Sequence, residues 1–218
     1  EEAILNLDLV QSLKKPAGFF DPSNPLNERL SNEDKEDEEE KPLAERSRNS
    51  RSPMLSFSNT DMAFSGNVMV AGSYHGFNIY NLDNQGHAKL VSSVICPGGQ
   101  GDVSIVGNLL IMSVEQNRGR IDCGLQGAGT EPNPERFRGI RIFDISDLKR
   151  PQQVGAVQTC RGSHTHSVVS GPDENGIIIV YNSGTSSVRD QEELESCFEA
   201  IPGDNRTALF RIDVIEIP

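Results

Sequence analysis

Apolar and polar positions alternate at the start of the chain, where Asn6 and Asp8 separate Leu5, Leu7 and Leu9. A period of two predicts a half-buried strand, detached within residues 1–10. The pattern breaks at Lys14-Lys15-Pro16 and again at Asp21-Pro22-Ser23-Asn24-Pro25. From residue 54 onward short apolar runs return, and they repeat. Asp61-Met62-Ala63-Phe64-Ser65-Gly66-Asn67 matches Asp102-Val103-Ser104-Ile105-Val106-Gly107-Asn108, 41 residues later. Each Gly-Asn turn is followed by an apolar strand, Val68 to Ala71 and Leu109 to Met112. A third strand type follows in Gly76 to Asp83 and Gly139 to Ser146. A fourth runs from Leu90 to Ile95 and from Val154 to Thr159, each time ending at a cysteine. A third copy starts at His166, turns at Asp173-Glu174-Asn175-Gly176 and continues through Ile177 to Tyr181. Leu209 to Asp213 matches the third strand type again.

Four short strands per unit, at a period of about 41 residues, are the mark of a propeller blade. A sandwich also spaces its strands closely, but it rarely repeats at the level of sequence. The expected fold is therefore all-β: a β-propeller with about three four-stranded blades over residues 54–218, a partial ring. Two loops interrupt the repeat. Asn117 to Arg138 is rich in Gly and Pro and carries Cys123; Ser183 to Thr207 carries Cys197, and its stretch from Asp190 to Ser196 suits a short helical turn.

Composition adds a linker. Hydrophobic residues make up 35% of the 218, below the globular norm, so part of the chain is expected outside any core. Residues 33–41 read EDKEDEEEK, so residues 11–53 are predicted to be an acidic, largely disordered linker. Calcium capture by this run lacks the spaced aspartates of a calcium loop. A net charge of −12 argues against nucleic-acid binding, which needs a basic face. No apolar run approaches the ~20 residues of a membrane span. The start, Glu1-Glu2, has neither an initiator Met nor a signal peptide, as at a processed or cut end.

The four cysteines, Cys96, Cys123, Cys160 and Cys197, include no C-x-x-C pair, which disfavours a zinc ribbon. Three disulfide pairings are open. Cys96–Cys123 with Cys160–Cys197 is favoured, because each bridge would tether a long loop to a strand end. Bridges of this span stabilise by roughly 3–4 kcal/mol in the chain-entropy model. They would indicate an oxidising compartment: periplasm, cell surface or medium. Four buried free thiols are the alternative.

The strand Gly139-Ile140-Arg141-Ile142-Phe143-Asp144-Ile145-Ser146, the following Asp147 to Pro151 and the outer strand Val154-Gly155-Ala156 resemble the LVIVD-repeat proteins. The copy at Ile79 to Asp83 departs at the family's aspartate. The resemblance covers roughly residues 56–218. The stretches Cys96 to Ser104 and Cys160 to His166 are similar to a bacterial secreted subgroup, whose members are usually longer. This implies a β-propeller exported to the cell envelope and says little about activity.

Candidate chemistry centres on the inner strands. The repeat alignment sets Asp61, Asp102 and His166 at one equivalent position, where they could form a polar ring at a channel mouth. Two carboxylates and an imidazole can bind a divalent cation. The alternative role is hydrogen bonding to backbone amides of the next blade. His164 and His166, two apart on a strand, would point to one face as metal ligands should. Methanethiol-oxidase propellers offer a distant analogy, although their complete ligand set is not present. Copper or calcium are the candidate metals, and no cofactor is the simpler expectation. His75 is a third candidate ligand in a loop, and His87 sits in a polar turn. Pro97 to Gly101 lacks the Walker lysine, so its glycines are read as a crossing between strands. No G-x-S-x-G motif supports a hydrolase triad. Asn205-Arg206-Thr207 is a glycosylation sequon.

The functional expectation is a non-catalytic binding or scaffold module of the cell envelope, with a loop-covered face for a protein or carbohydrate partner. A metal-dependent redox or hydrolytic enzyme around His164 and His166 is the alternative. A surface-layer component that self-associates is a third reading. Fold alone cannot choose among them.

Overall fold

The computed structural model describes residues 7–14, 16, 59–124, 127–129, 132–200 and 202–218. The acidic run 33–41, nearly all of the expected linker, residues 54–58 and Leu5 lie outside these. The strand expected over residues 1–10 is not formed at its described end. Leu7 and Leu9 are exposed and lie in no strand. One side chain links this segment to the rest: Gln11 Oε1 accepts the Ala88 amide (2.7 Å) and Gln11 Nε2 donates to the Ala88 carbonyl (3.2 Å).

The described residues are all-β, with eleven strands in three antiparallel sheets. The first sheet is β1 (Asn59–Ser65), β2 (Val68–Ser73), β3 (Gly76–Leu82) and β4 (Ala88–Ile95). The second is β5 (Gln100–Val106), β6 (Leu109–Val114), β7 (Gly139–Asp144) and β8 (Gln152–Gln158). The third has three strands, β9 (Thr165–Ser170), β10 (Ile178–Ser183) and β11 (Asp213–Ile217). Every sheet is an up-and-down meander in chain order, and the three do not close on themselves.

Local sequence explains the hairpins. Gly66-Asn67 and Gly107-Asn108 are two-residue loops, and each Gly takes a positive φ (56° and 57°) at the first central position. The repeat extends to irregularities: the third-to-fourth strand ladder slips at Ile79/Tyr80 in the first sheet and at Ile142/Phe143 in the second. Such bulges sharpen strand twist.

Packing runs from sheet to sheet. Val70, Phe77 and Ile79 of the first sheet meet Val103, Leu110, Met112 and Phe143 of the second. Phe77 and Phe143 make an edge-to-face contact with centroids 4.9 Å apart. The other face of the second sheet, Ile111, Ile140 and Ile142, meets Ile178, Val180, Ile215 and Ile217 of the third. Burial on both faces is why Leu109 to Met112 of β6 read as a continuous apolar run instead of alternating.

The third unit departs from the expected register in two ways. Its last strand is Asp213–Ile217, shifted four residues along from Leu209–Asp213, the segment matched by sequence. Phe210 takes a positive φ (60°), which ends any extended run through Leu209–Asp213, and its side chain is exposed. The inner strand also shifts. Met62 pairs with Ala71, Val103 with Met112 and Val168 with Val180. Val180 faces the second sheet as Met112 faces the first. Between the sheets, His166 gives its amide to Asp102 as Val103 gives its amide to Asp61, so His166 takes the place of Val103 and not that of the aspartates.

The inner strands adjoin, β1 beside β5 and β5 beside β9. Their approach depends on glycine. A Cβ on Gly72 would lie 1.8 Å from the Gly101 carbonyl oxygen. A Cβ on Gly101, whose φ is +60°, would lie 2.4 Å from the Ser73 carbonyl oxygen. Gly101→Ala should therefore destabilise by about 2 kcal/mol or more, a loss of ~4–8 °C in Tm. Gly66→Ala, also at positive φ but with open space around it, should cost only about 1 kcal/mol. Thermal unfolding of both variants checks the difference; equal losses would show that sheet approach is not the constraint.

Candidate functional site

The elaborations gather at one end of the sheets. The β2–β3, β6–β7 and β10–β11 connections and the β4–β5 and β8–β9 crossings lie there, and the other connections are short turns at the opposite end. The two long insertions, 115–138 and 184–212, belong to this end. Each is tethered to the preceding crossing by a disulfide, Cys96–Cys123 and Cys160–Cys197, the pairing favoured from sequence. The bridges are equivalent: a cysteine after the outer strand of one sheet holds the insertion of the next. Cys160, Cys197, Val188 and Ala208 also form a small apolar cluster under the second insertion.

Buried charge joins the insertions to each other. The Glu193 side chain is buried; its Oε1 accepts Arg136 Nε (2.8 Å) and the Asn133 amide (2.7 Å), and its Oε2 accepts Arg189 Nε (3.0 Å). Arg136 also donates to the carbonyls of Asn117 and Gly129, and Arg189 to Gln158 Oε1 and the Arg136 carbonyl. Glu193 sits in the expected helical turn, where its amide and that of Leu194 donate to the Asp190 carbonyl. Arg141, in the middle of β7, passes its head group over the Phe137 ring (4.1 Å) to the carbonyls of Arg120 and Ile121. Burial pulls its pKa down to about 10, so it stays charged at neutral pH.

The predicted site residues separate into two groups. Asp61 Oδ2 accepts the Val103 amide (3.1 Å), and Asp102 Oδ2 accepts the His166 amide (2.8 Å). Both carboxylates thus bridge an inner strand to the next. His166 is buried; its Nδ1 lies 3.1 Å from Asp102 Oδ2 and 2.9 Å from Ser113 Oγ, which lies 2.6 Å from Ser163 Oγ. Burial opposes ionisation of Asp102, but hydrogen bonds from the His166 ring and amide, the charge of His166 and the Asp61 side chain hold its carboxyl below the usual range. Aspartate, histidine and serine meet here without forming a relay. A nucleophilic serine needs the imidazole nitrogen opposite the one facing aspartate, whereas Asp102 and Ser113 share Nδ1. Nε2 of His166 is buried with no hydrogen-bond partner.

His164 precedes β9 and serves the other group. Its Nδ1 lies 2.9 Å from Glu115 Oε2 and 3.0 Å from Gln100 Nε2. The two histidines share no partner. Among the described residues no three His, Cys, Asp or Glu side chains are grouped to hold a metal ion. His75 lies in the β2–β3 turn, where its carbonyl accepts the Cys96 amide. His87 closes the β3–β4 turn on Asp83 at 3.0 Å. The Gly98 and Gly99 amides both point to the Tyr74 carbonyl, and the Gly101 amide to the Gly99 carbonyl, so this segment presents no cradle of free amides to an anion.

Around Glu115 lies a polar cleft of about 340 Å³. Tyr74 of the first sheet, Gln100 at the start of β5 and Glu115 to Asn117 after β6 form one side. Thr185 to Ser187, after β10, form the other. All three sheets contribute. Glu115 Oε1 ties the sides together by accepting the Thr185 amide (2.8 Å) and hydroxyl (2.6 Å). Sequence reasoning reached His164 beside this cleft but passed over Glu115, Gln100 and Gln116. The available signal was their position, each following directly on a strand end or a glycine run at the insertion-bearing end. Among the described residues no helix is long and apolar enough to cross a membrane. No protein-family model, curated protein or solved structure matches the chain.

The buried charge yields a pH prediction. Burial opposes ionisation of Glu193, but Arg136, the Asn133 amide and Arg189 outweigh it, so its folded pKa lies below the ordinary 4.5. Its stabilisation is then complete above pH 4.5 and is lost as pH falls below that value. Glu193→Gln should cost about 3 kcal/mol at pH 7 and flatten the acid limb of a Tm-against-pH curve. An unchanged acid limb would mean that Glu193 does not clamp the insertions.

Proposed function

We propose that the chain is part of a β-propeller of the LVIVD-repeat type, exported to an oxidising compartment of the cell envelope. It acts as a non-catalytic binding module whose insertion-bearing end receives a protein or carbohydrate partner. The propeller reading draws support from three successive meanders stacked face to face with their inner strands adjacent. It draws further support from the outer face of the third sheet, where Val169, Tyr181 and Val214 are exposed. The equivalent faces of the first two sheets are each covered by the next sheet. Export is supported by the two disulfides.

One observation carries the binding reading. Both insertions, both disulfides and the polar cleft occupy the same end, and buried ion pairs hold that end rigid. Loops fixed on a sheet scaffold are where recognition concentrates. The enzyme alternative draws less support, because Asp61, Asp102 and the Nδ1 atoms of His164 and His166 are already engaged in bridging the sheets.

The test is retention of envelope protein and carbohydrate by the immobilised, disulfide-intact chain. Thr185→Trp, which fills the cleft, should lower retention at least tenfold. Glu174→Trp, on the exposed turn at the opposite end, should leave it unchanged. Equal retention by both variants would contradict binding at the insertion-bearing end.

A further inference from the structure

We infer that the cleft beside Glu115 is a binding site for a neutral saccharide; this rests on the binding-module reading and names its ligand class. No lysine or arginine is among the residues that line the cleft. Arg138 is buried and donates to Asn117 Oδ1 (2.8 Å), Ser186 Oγ (2.9 Å) and the Ser187 carbonyl (2.8 Å), and Arg161 donates to the carbonyls of Ser186 (2.8 Å) and Thr185 (3.0 Å). Arg118 donates to the Tyr74 carbonyl at 2.9 Å.

A cationic ligand finds little either. Glu115 is the single carboxylate of the lining, and both its oxygens are engaged, one by Thr185 and the other by His164. An apolar ligand finds only Tyr74. What remains is a surface of amides and hydroxyls, each able to donate or accept. That chemistry matches a ligand dense in hydroxyl groups and free of charge. The volume stands at the lower end of the ~300–1,000 Å³ range of ligand pockets, which suits a small sugar unit and not a protein segment.

Gln116 points to the ligand independently of the cavity. Its Oε1 is shut off from solvent and accepts no hydrogen bond, an expensive state, and a turn of the side chain toward the cleft it lines would let a ligand hydroxyl relieve it. The residue is also held in advance. Its amide donates to the Gly98 carbonyl (2.6 Å), and its side chain lies where a Cβ on Gly99 would come within 2.1 Å of Cγ. Gly99, at φ +73°, leaves room for the Gln116 side chain. The glycine run that offers nothing to phosphate thus makes room for the Gln116 side chain beside the cleft.

The experiment uses the whole disulfide-intact chain on a printed array of neutral, sialylated, uronic-acid and amino-sugar glycans. Heteronuclear NMR titration with the strongest neutral hit follows. The expected result is binding to neutral glycans that is unchanged between 50 and 500 mM NaCl, with shifts at Gln100, Gln116, Asn117 and Ser186. Gln116→Leu should weaken it at least tenfold. Ser187→Ala, at an exposed position where folding is not at risk, should weaken it about threefold. Salt-sensitive binding to charged glycans alone, or neutral binding that neither variant alters, would overturn the assignment. If no glycan binds while Thr185→Trp still abolishes retention of a protein, the saccharide assignment falls and the binding module stands. If neither is retained, both fall.

Discussion

A sheet that is apolar on both faces needs a cover on both faces, and the rest of this structure follows from that constraint. The second sheet meets it with Leu110, Met112 and Phe143 turned to the first sheet and Ile111, Ile140 and Ile142 turned to the third. Such stacking brings β2 so close to the start of β5 that no side chain fits at one point, hence Gly72 against Gly101. It also leaves inner-strand amides facing a neighbouring sheet without a ladder to join. Asp61 and Asp102 supply acceptors for two of them, at Val103 and His166. These carboxylates act as mortar between repeats, and burial of the His166 ring follows from the same arrangement.

At the insertion-bearing end the difficulty is different. Two long loops without strands of their own must be held over the sheets with little apolar material. The chain uses covalent and ionic ties together. Each disulfide anchors one insertion to the crossing before it, and Glu193 with Arg136 and Arg189 joins one insertion to the other. A buried ion pair of this kind gains little over an apolar core of the same volume, but loss of one partner is costly. It fixes the loops in one arrangement, and the polar cleft is where they meet the sheet ends.

Much of the fold was legible in the chain because its cues are local. The Gly-Asn turns and the strands after them recur after 41 residues, and each of β4 and β8 leads to a cysteine with a loop cysteine to pair with. The third unit was less legible. Its turn around Asp173 is longer than two residues, and the insertion ahead of β11 hides where that strand begins. A one-residue shift reverses a strand's facing, and His166, aligned by sequence with Asp61 and Asp102, gives its amide to Asp102 as Val103 does to Asp61. The site was legible only in part. His164 and His166 stand out in any reading, but their partners, Glu115 and Asp102, come from other sheets. Arg136 and Glu193 are separated by 57 residues within segments that read as ordinary polar loops. No short-range pattern links them; only the tertiary arrangement does.

The central claim is that each insertion is tied to the crossing that precedes its own sheet, closing one end of the repeat. Peptide mapping of the unreduced protein tests this most directly, with proteolysis under acid conditions to prevent thiol exchange. The account predicts two bridged peptides, one joining Cys96 to Cys123 and the other Cys160 to Cys197, with no free thiol. Bridges joining Cys96 to Cys160 or Cys123 to Cys197, or four alkylatable cysteines, would contradict it.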